Sequence, residues 1–297
     1  MKIKGFHIEA STFCNARCPG CPRNVYGYNL KNFVTTTHLS TTRYRQIRDQ
    51  YRDIFYVRFN GGLGDPMMNP KISELVDISE CFTRITTNGS IGTKQTFEYL
   101  ARKNVRVEFS IDGLQDTNHL YRQDISWNKI MERVKWFIDA GGYAIWKFIP
   151  FRHNKHQLAD ARALSHDLGF KEFHSDDQGR NNFPALDEAG NVSHWILSPD
   201  DTQIPQEFDA PAAIAQAKQK PNFLSEKGKR FDIFRCEHLT GEVYITASGV
   251  ITPCCYHGTE IGDRKIVPVE DFEKLKQTWH TDDCDPTCAI SCGRIKR

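Results

Sequence analysis

Between residues 5 and 175 the chain alternates six short β-rich runs with five longer helical stretches, and no other feature limits its fold so strongly. Strands separated by whole helices pair in parallel, because a parallel neighbour is reached only by a crossover of a dozen or more residues. The runs are GFHIEA (5–10), IFYVRFN (54–60), FTRITT (82–87), VRVEFSI (105–111), AIWKFIP (144–150) and FKEFHS (170–175). Between them lie STTRYRQIRDQYR, PKISELVDISECF, TKQTFEYLARK, NKIMERVKWFIDAG and HQLADARALSHDLG, the last two closing on Gly141 and Gly169 as left-handed C-caps. Six βα units fall short of the eight that close a barrel. The predicted fold is therefore α/β: a partial, TIM-like (β/α)6 barrel over residues 1–175, with its working loops at the C-terminal strand ends.

Residues 176–229 change to polar and turn-forming types with little periodicity and read as a bridge. Residues 230–297 begin again with structure: EVYIT and VITPC around a tight turn at ASG predict a β-hairpin, VEDFEKLKQTWH a short helix, and CDPTCAISC ends the segment. This is expected to be a small α+β unit. A net charge of +2 over 297 residues gives no bulk attraction to nucleic acid or to a membrane surface. Lys2, Lys4, His7 and Glu9 interrupt the first apolar residues, and no 18-residue apolar run follows, so neither a signal peptide nor a membrane span is predicted. The expected location is cytoplasmic.

Ten cysteines in a reducing compartment point to metal rather than to a disulfide framework. Cys81 stands alone in a helical segment and reads as core. Cys14, Cys18 and Cys21 form C-x3-C-x2-C directly after the first strand, at the barrel mouth. Thiolates suit zinc or iron–sulfur clusters. Zinc needs a fourth ligand and favours paired C-x2-C spacings; His7, seven residues upstream of Cys14, is the candidate. A four-iron cube takes one cysteine per iron, so three cysteines leave one iron open.

On these residues the chain resembles the radical S-adenosylmethionine (SAM) enzymes, which carry C-x3-C-x2-C after the first strand of a partial (β/α)6 barrel. The resemblance implies a 4Fe–4S cluster whose open iron is chelated by the amino and carboxylate groups of SAM. One electron then splits the sulfonium, and the 5′-deoxyadenosyl radical abstracts a substrate hydrogen. Further segments match in order. NGGLGDP (60–66) is similar to the family's GGEP-type motif, in which Gly61 and Gly62 let the backbone approach the methionyl ammonium and Asp65, shorter than the usual glutamate, would bond it. TTNGS (86–90) and SIDG (110–113) imply that Asn88 shapes the pocket and that Ser110 and Asp112 bond the ribose. YRQ (121–123) implies that Arg122 pairs with the methionyl carboxylate, the plain alternative being a surface salt bridge. FIPFRHN (148–154) implies cofactor contacts from Arg152 and Asn154, with a helix N-cap as the alternative for Asn154.

The tail sets seventeen residues between Cys236 and Cys254 (the sequence reads GVITPC up to the latter) and resembles the SPASM and Twitch auxiliary-cluster domains, which bind further 4Fe–4S clusters on such cysteines. Two full cubes need eight thiolates and the tail has six, so one auxiliary cluster is expected, on Cys236, Cys254 and two of Cys284, Cys288 and Cys292. Which of the three is spare stays open, as do a second cluster with an unusual ligand set and a structural zinc. Cys255 points the opposite way along the strand from Cys254 and is either an apolar filler or a hydrogen-atom donor. The implied function is hydrogen abstraction from a peptide, protein or small molecule, by a dehydrogenase, an epimerase or another modifying enzyme. A low-potential donor such as flavodoxin or ferredoxin would supply electrons. A non-catalytic metal-binding module on the same fold is the rival from another class.

Overall fold

All six predicted strands form, and each stands beside its neighbour in sequence. The computed structural model describes residues 2–31, 34–176, 180–205, 208–217, 231–233, 240–255, 268–277 and 293–295. Strands β1 (Gly5–Ile8), β2 (Tyr56–Asn60), β3 (Phe82–Thr87), β4 (Arg106–Ser110), β5 (Tyr143–Phe148) and β6 (Glu172–Ser175) are parallel and ordered as in the sequence. The crossovers carry α1 (Thr41–Gln50), α2 (Ile72–Ser79), α3 (Lys94–Arg102), the one-turn α4 (Asn118–Tyr121), α5 (Trp127–Asp139) and α6 (Leu158–Leu168). Local chemistry sets their ends. Ser40 Oγ accepts from Arg43 N–H at 3.1 Å and Thr93 Oγ1 from Thr96 N–H at 3.2 Å, satisfying helix N–H groups that have no carbonyl within the helix. Gly169 closes α6 at φ 91° and Gly141 lies just past α5 at φ 81°, as predicted.

Strand side chains alternate between two different environments. One face, with Phe6, Ile8, Val57, Phe59, Ile85, Val107, Phe109, Trp146 and Phe148, packs against Ile47, Leu75, Phe97, Leu100, Val134 and Phe137 of the helices as a single core. Each fully buried apolar side chain there contributes about 1.5–3 kcal/mol. The opposite face is ionic where a closed barrel would be filled with branched apolar residues. Arg58, Arg84 and Arg106 lie in register across β2, β3 and β4. Arg58 pairs with Glu242, Arg84 with Glu108 at 2.9 Å, and Arg106 with Glu172 at 3.6 Å. Lys147 lies 3.5 Å from Glu108.

The bridge has more order than its composition suggests: β7 (Phe183–Leu186) and β8 (Val192–Ile196) form an antiparallel hairpin, followed by α7 (Ala210–Ala217). Strands this short, one of them carrying Pro184, hold too few alternations to stand out in the sequence. In the tail, β9 (Phe231–Ile233) pairs with β12 (Gly293–Ile295), and α8 (Phe272–Gln277) follows a 3₁₀ turn. The predicted hairpin also forms, as β10 (Glu242–Ile245) and β11 (Ile251–Thr252). It belongs to the main sheet: β10 lies parallel to β1, so the order is β11-β10-β1-β2-β3-β4-β5-β6. A partial barrel leaves the backbone groups of β1 unpaired on one side, and β10 covers that edge while burying Val243 and Ile245. Among the described residues no helix is long and apolar enough to cross a membrane.

Candidate active site

The segment after β1 runs across the C-terminal strand ends and is tied down mostly through its carbonyls. Arg23 donates to Thr12 O at 3.0 Å and to Cys14 O at 3.4 Å. Asn24 Nδ2 donates to Cys18 O at 3.2 Å, and Asp65 N–H to Phe13 O at 2.8 Å. Cys18 is buried and Cys14 and Cys21 half-buried, packed with Ala16, Tyr121, Phe151 and Ile196, and with Phe183 of the bridge hairpin. Donors from three places face the sulfurs: Ala16 N–H at 3.4 Å and Asn88 Nδ2 at 3.7 Å from Cys14 Sγ, and Arg122 Nη1 at 3.7 Å from Cys18 Sγ. Burial, with the nearby Asp65 charge, pushes the Cys14 thiol up to about 12; burial and Cys18 push Cys21 up to about 11, and burial raises Cys18. A metal held on these sulfurs would have to displace their protons, and the N–H donors would favour the thiolates that result.

None of the three is in a disulfide. Among the described residues no three His, Cys, Asp or Glu side chains close on one point as a single ion requires. A cube takes each sulfur on a different iron and does not need that convergence. His7, the candidate fourth ligand for zinc, has Nε2 2.8 Å from Asn60 O and its ring edge-on to Tyr244 at 4.8 Å. The donor set fits a three-cysteine cluster.

The glycine loop 60–66 bends sharply around a residue whose role was not visible in the sequence. Glu9, 1% exposed, accepts Gly62 N–H at 2.7 Å, Leu63 N–H at 2.9 Å and Gly64 N–H at 3.1 Å, together with the Tyr244 hydroxyl at 2.7 Å. Burial raises its carboxyl to about 7 against the lowering effect of those bonds. Gly61 and Gly64 are required sterically. A Cβ on Gly61 would stand 1.8 Å from Gly64 O, and one on Gly64 2.1 Å from Ser11 O.

The remaining candidates fall into two hydrogen-bonded groups at the strand ends. Asp65, buried, accepts Met67 N–H at 2.9 Å, Thr87 Oγ1–H at 2.8 Å and Asn88 N–H at 2.8 Å, joining the glycine loop to the end of β3. Asn88 Nδ2 donates to Asn15 Oδ1 at 3.0 Å as well as facing Cys14, and its Oδ1 accepts from Ser90. In the second group Asp112, fully buried beyond β4, accepts Arg122 Nε–H and Ile149 N–H, each at 2.6 Å. Burial opposes the charge of Arg122, yet the Asp112 carboxylate and the neighbouring Cys18 override it and raise its pKa. Arg122 is thus no surface ion pair. Asn154 occupies the N-cap position of the turn 155–157 without capping it. It accepts Phe151 N–H at 2.6 Å and donates to Asp112 O and Ile149 O at 2.9 and 3.1 Å. Ser110 is half-buried at the end of β4, in register with Lys147. Arg152 is exposed and donates to Thr202 O at 3.1 Å, away from these groups.

Cys254 and Cys255 are half-buried just past β11, and the Cys255 charge contributes, after burial and Glu9, to the raised pKa of Tyr244. Cys236, Cys284, Cys288 and Cys292 lie outside the described residues. Cys81, predicted as core, packs half-buried against the main core.

Solved proteins share this fold. Residues 8–157 match the profile of the Radical SAM superfamily. SuiB of Streptococcus suis bound to S-adenosylmethionine shares 15% identity, with 98% of this chain and 71% of that one covered and a TM-score of 0.57. SuiB bound to its precursor peptide SuiA shares 17%, covering 95% and 65%, again with a TM-score of 0.57. At such identities the likeness is one of fold. None of the curated proteins matches. The profile match takes in half of the chain, from β1 through the turn that follows β5, and on that ground the chain belongs to the radical SAM superfamily, whose members use a 4Fe–4S cluster and SAM.

Proposed function

We propose that the chain is an enzyme that cleaves SAM reductively and takes a hydrogen atom from a peptide, protein or small polar molecule. The observation that carries this reading is the convergence of Asn88, from the end of β3, and Arg122, after α4, on the sulfurs of Cys14 and Cys18. A bound 4Fe–4S cluster would supply the single electron that reductive cleavage of SAM requires, and SAM the group that accepts the substrate hydrogen. The protein's part is to bind and orient. Cys14, Cys18 and Cys21 would hold the cluster. Asp65 acts through Asn88, which it fixes by the backbone, and Asp112 orients the Arg122 fork toward a carboxylate. Gly61 and Gly62 bring loop carbonyls to the methionyl ammonium, while Ser110 lies at the mouth where ribose hydroxyls would sit. Tyr121, Phe151, Phe183 and Ile196 exclude water from the cysteine loop. The partly exposed Lys147 and Arg84 on the helix-free face favour a polar substrate, and SuiB, with the same fold, binds a peptide. Asn154 sets the β4 and β5 ends. Arg152 is a cofactor contact only by the sequence resemblance.

An auxiliary cluster on Cys236, Cys254 and two of Cys284, Cys288 and Cys292 belongs to the same proposal, supported by their spacing, with flavodoxin or ferredoxin as the class of electron donor. Cys255 as hydrogen donor would make the product an epimer; net oxidation would make the enzyme a dehydrogenase. Iron and sulfide are counted on anaerobically reconstituted protein, and 5′-deoxyadenosine is measured with SAM and dithionite. About eight irons are expected, falling by about four in the variant with Cys14, Cys18 and Cys21 changed to alanine, which should form no 5′-deoxyadenosine. Wild-type protein that binds iron yet forms none would be a non-catalytic module, and tetrahedral zinc on the three sulfurs would end the proposal.

A further inference from the structure

A buried carboxylate normally needs a cation, and among the described residues none pairs with Glu9. Its compensation is four hydrogen bonds, three of them from consecutive backbone N–H groups of the glycine loop. Consecutive N–H groups converging in this way form a concavity that binds anions. Here the anion is built in. A trans peptide unit directs its N–H and C=O to opposite sides. The three units whose N–H groups grip Glu9 therefore turn the carbonyls of Gly61, Gly62 and Leu63 away from it. Closed by a carboxylate on one side, the loop offers a row of carbonyl oxygens on the other, and that side suits an ammonium group.

A second element holds the carboxylate from behind. Tyr244, in β10, reaches it across 235 positions of sequence, and its ring lies edge-on to His7, whose Nε2 contacts Asn60 O at the base of the same loop. We infer that Glu9, locked by Tyr244, is the positioning residue that turns the glycine loop into the receptor for the amino group of SAM. The inference rests on the proposed reading of that loop.

The test uses the full-length, anaerobically reconstituted protein and two probes: SAM, and 5′-methylthioadenosine, which keeps the adenosyl part and lacks the amino acid. Glu9→Gln keeps the shape but sets an amide NH₂ against backbone N–H groups. It should weaken SAM roughly tenfold or more while leaving 5′-methylthioadenosine unchanged. The EPR signal of the reduced cluster should be that of the wild type without SAM and should need correspondingly more SAM to change. Tyr244→Phe removes one donor of four and should weaken SAM about two- to tenfold with the same selectivity, which keeps the test available if Glu9→Gln does not fold. Equal losses for both probes would reduce Glu9 to a structural role, and unchanged SAM affinity would remove it from the site; either result overturns the inference. Wild-type protein that binds no SAM would instead overturn the reading on which it rests.

Discussion

Replacing Asp112 by asparagine should be among the most damaging isosteric changes in this chain. Its carboxylate is fully buried and takes one hydrogen bond from Arg122 Nε and another from Ile149 N–H, both at 2.6 Å. The Arg122 side chain is itself only 15% exposed. Asparagine keeps one acceptor and presents an NH₂ to the other donor, leaving a buried guanidinium without its counter-charge. Breaking a buried pair from one side costs about 3–5 kcal/mol, and the retained acceptor places Asp112→Asn near about 3. Arg122→Met should cost a similar amount by stranding Asp112. The double variant should recover most of one loss, because two uncharged groups of similar volume leave no buried charge, giving a coupling of about 2–3 kcal/mol. Urea unfolding of the chelator-treated chain, followed by circular dichroism, reads these as midpoints; at a slope of about 3 kcal/mol/M the single variants should move by about 1 M. An Asp112→Asn midpoint within about 0.2 M of wild type, or a double variant equal to the sum of the singles, would refute the buried pair.

Asn154→Ala removes three bonds to buried backbone groups and should cost about 2–4 kcal/mol, with amide exchange accelerating first at residues 149–151; loss confined to the turn 155–157 would contradict the bracing role. The Glu9 carboxyl titrates near 7 when folded against 4.5 when free, so between those values only the folded chain holds the proton. Stability attributable to Glu9 should therefore be full below about pH 4.5, fall by about 3 kcal/mol as pH rises to about 7 and stay level above. Comparing wild type with Glu9→Gln at pH 5 and pH 8 checks the sign, since Gln carries no such slope. Phe183→Ala opens the aromatic cover formed with Tyr121 and Phe151, each 6.2 Å from it ring to ring. The reconstituted cluster should bleach several-fold faster in air while the unfolding free energy falls by about 1–2 kcal/mol, and equal bleaching rates would show that the hairpin does not shield it.

The barrel was readable because each of its signals is local. Phe82–Thr87 forms β3 with the predicted bounds, and Gly141 and Gly169 mark helix ends through bonds within a few residues. The cysteine spacing was readable for the same reason, three ligands lying in one loop. What escaped was every contact that spans the fold. Glu9 reads as the polar member of an alternating strand, and nothing near it announces Gly62, Leu63, Gly64 or Tyr244. Asp65, Asp112 and Asn154 stood at the right strand ends. Their polar atoms nevertheless bond to protein groups, because strand ends gathered around a loop carry many backbone groups that must be paired. The β7–β8 hairpin was missed because composition describes a segment's exposure better than its pairing.

The profile match stops at residue 157, yet the site as built does not. Strand β10 supplies Tyr244 to Glu9 and pairs with β1 along its length, and the pairing continues beyond the strand at both ends: Lys4 N–H reaches Gly241 O at 2.7 Å and Glu9 N–H reaches Ile245 O at 2.9 Å. A chain ended at residue 217 would expose the edge of β1, strip the cover that Val243 and Ile245 give, and leave the Glu9 carboxylate with three donors in place of four. An open parallel edge next to apolar surface invites pairing with another chain. The shortened protein should therefore associate in solution, and any fraction that remains monomeric should bind SAM more weakly than the full chain even with all three cluster cysteines present. Size-exclusion chromatography with in-line light scattering and a SAM titration decide the matter. A monomeric 1–217 chain with full-length affinity would mean that β10 is an accessory to the sheet and that the glycine loop keeps its shape without it.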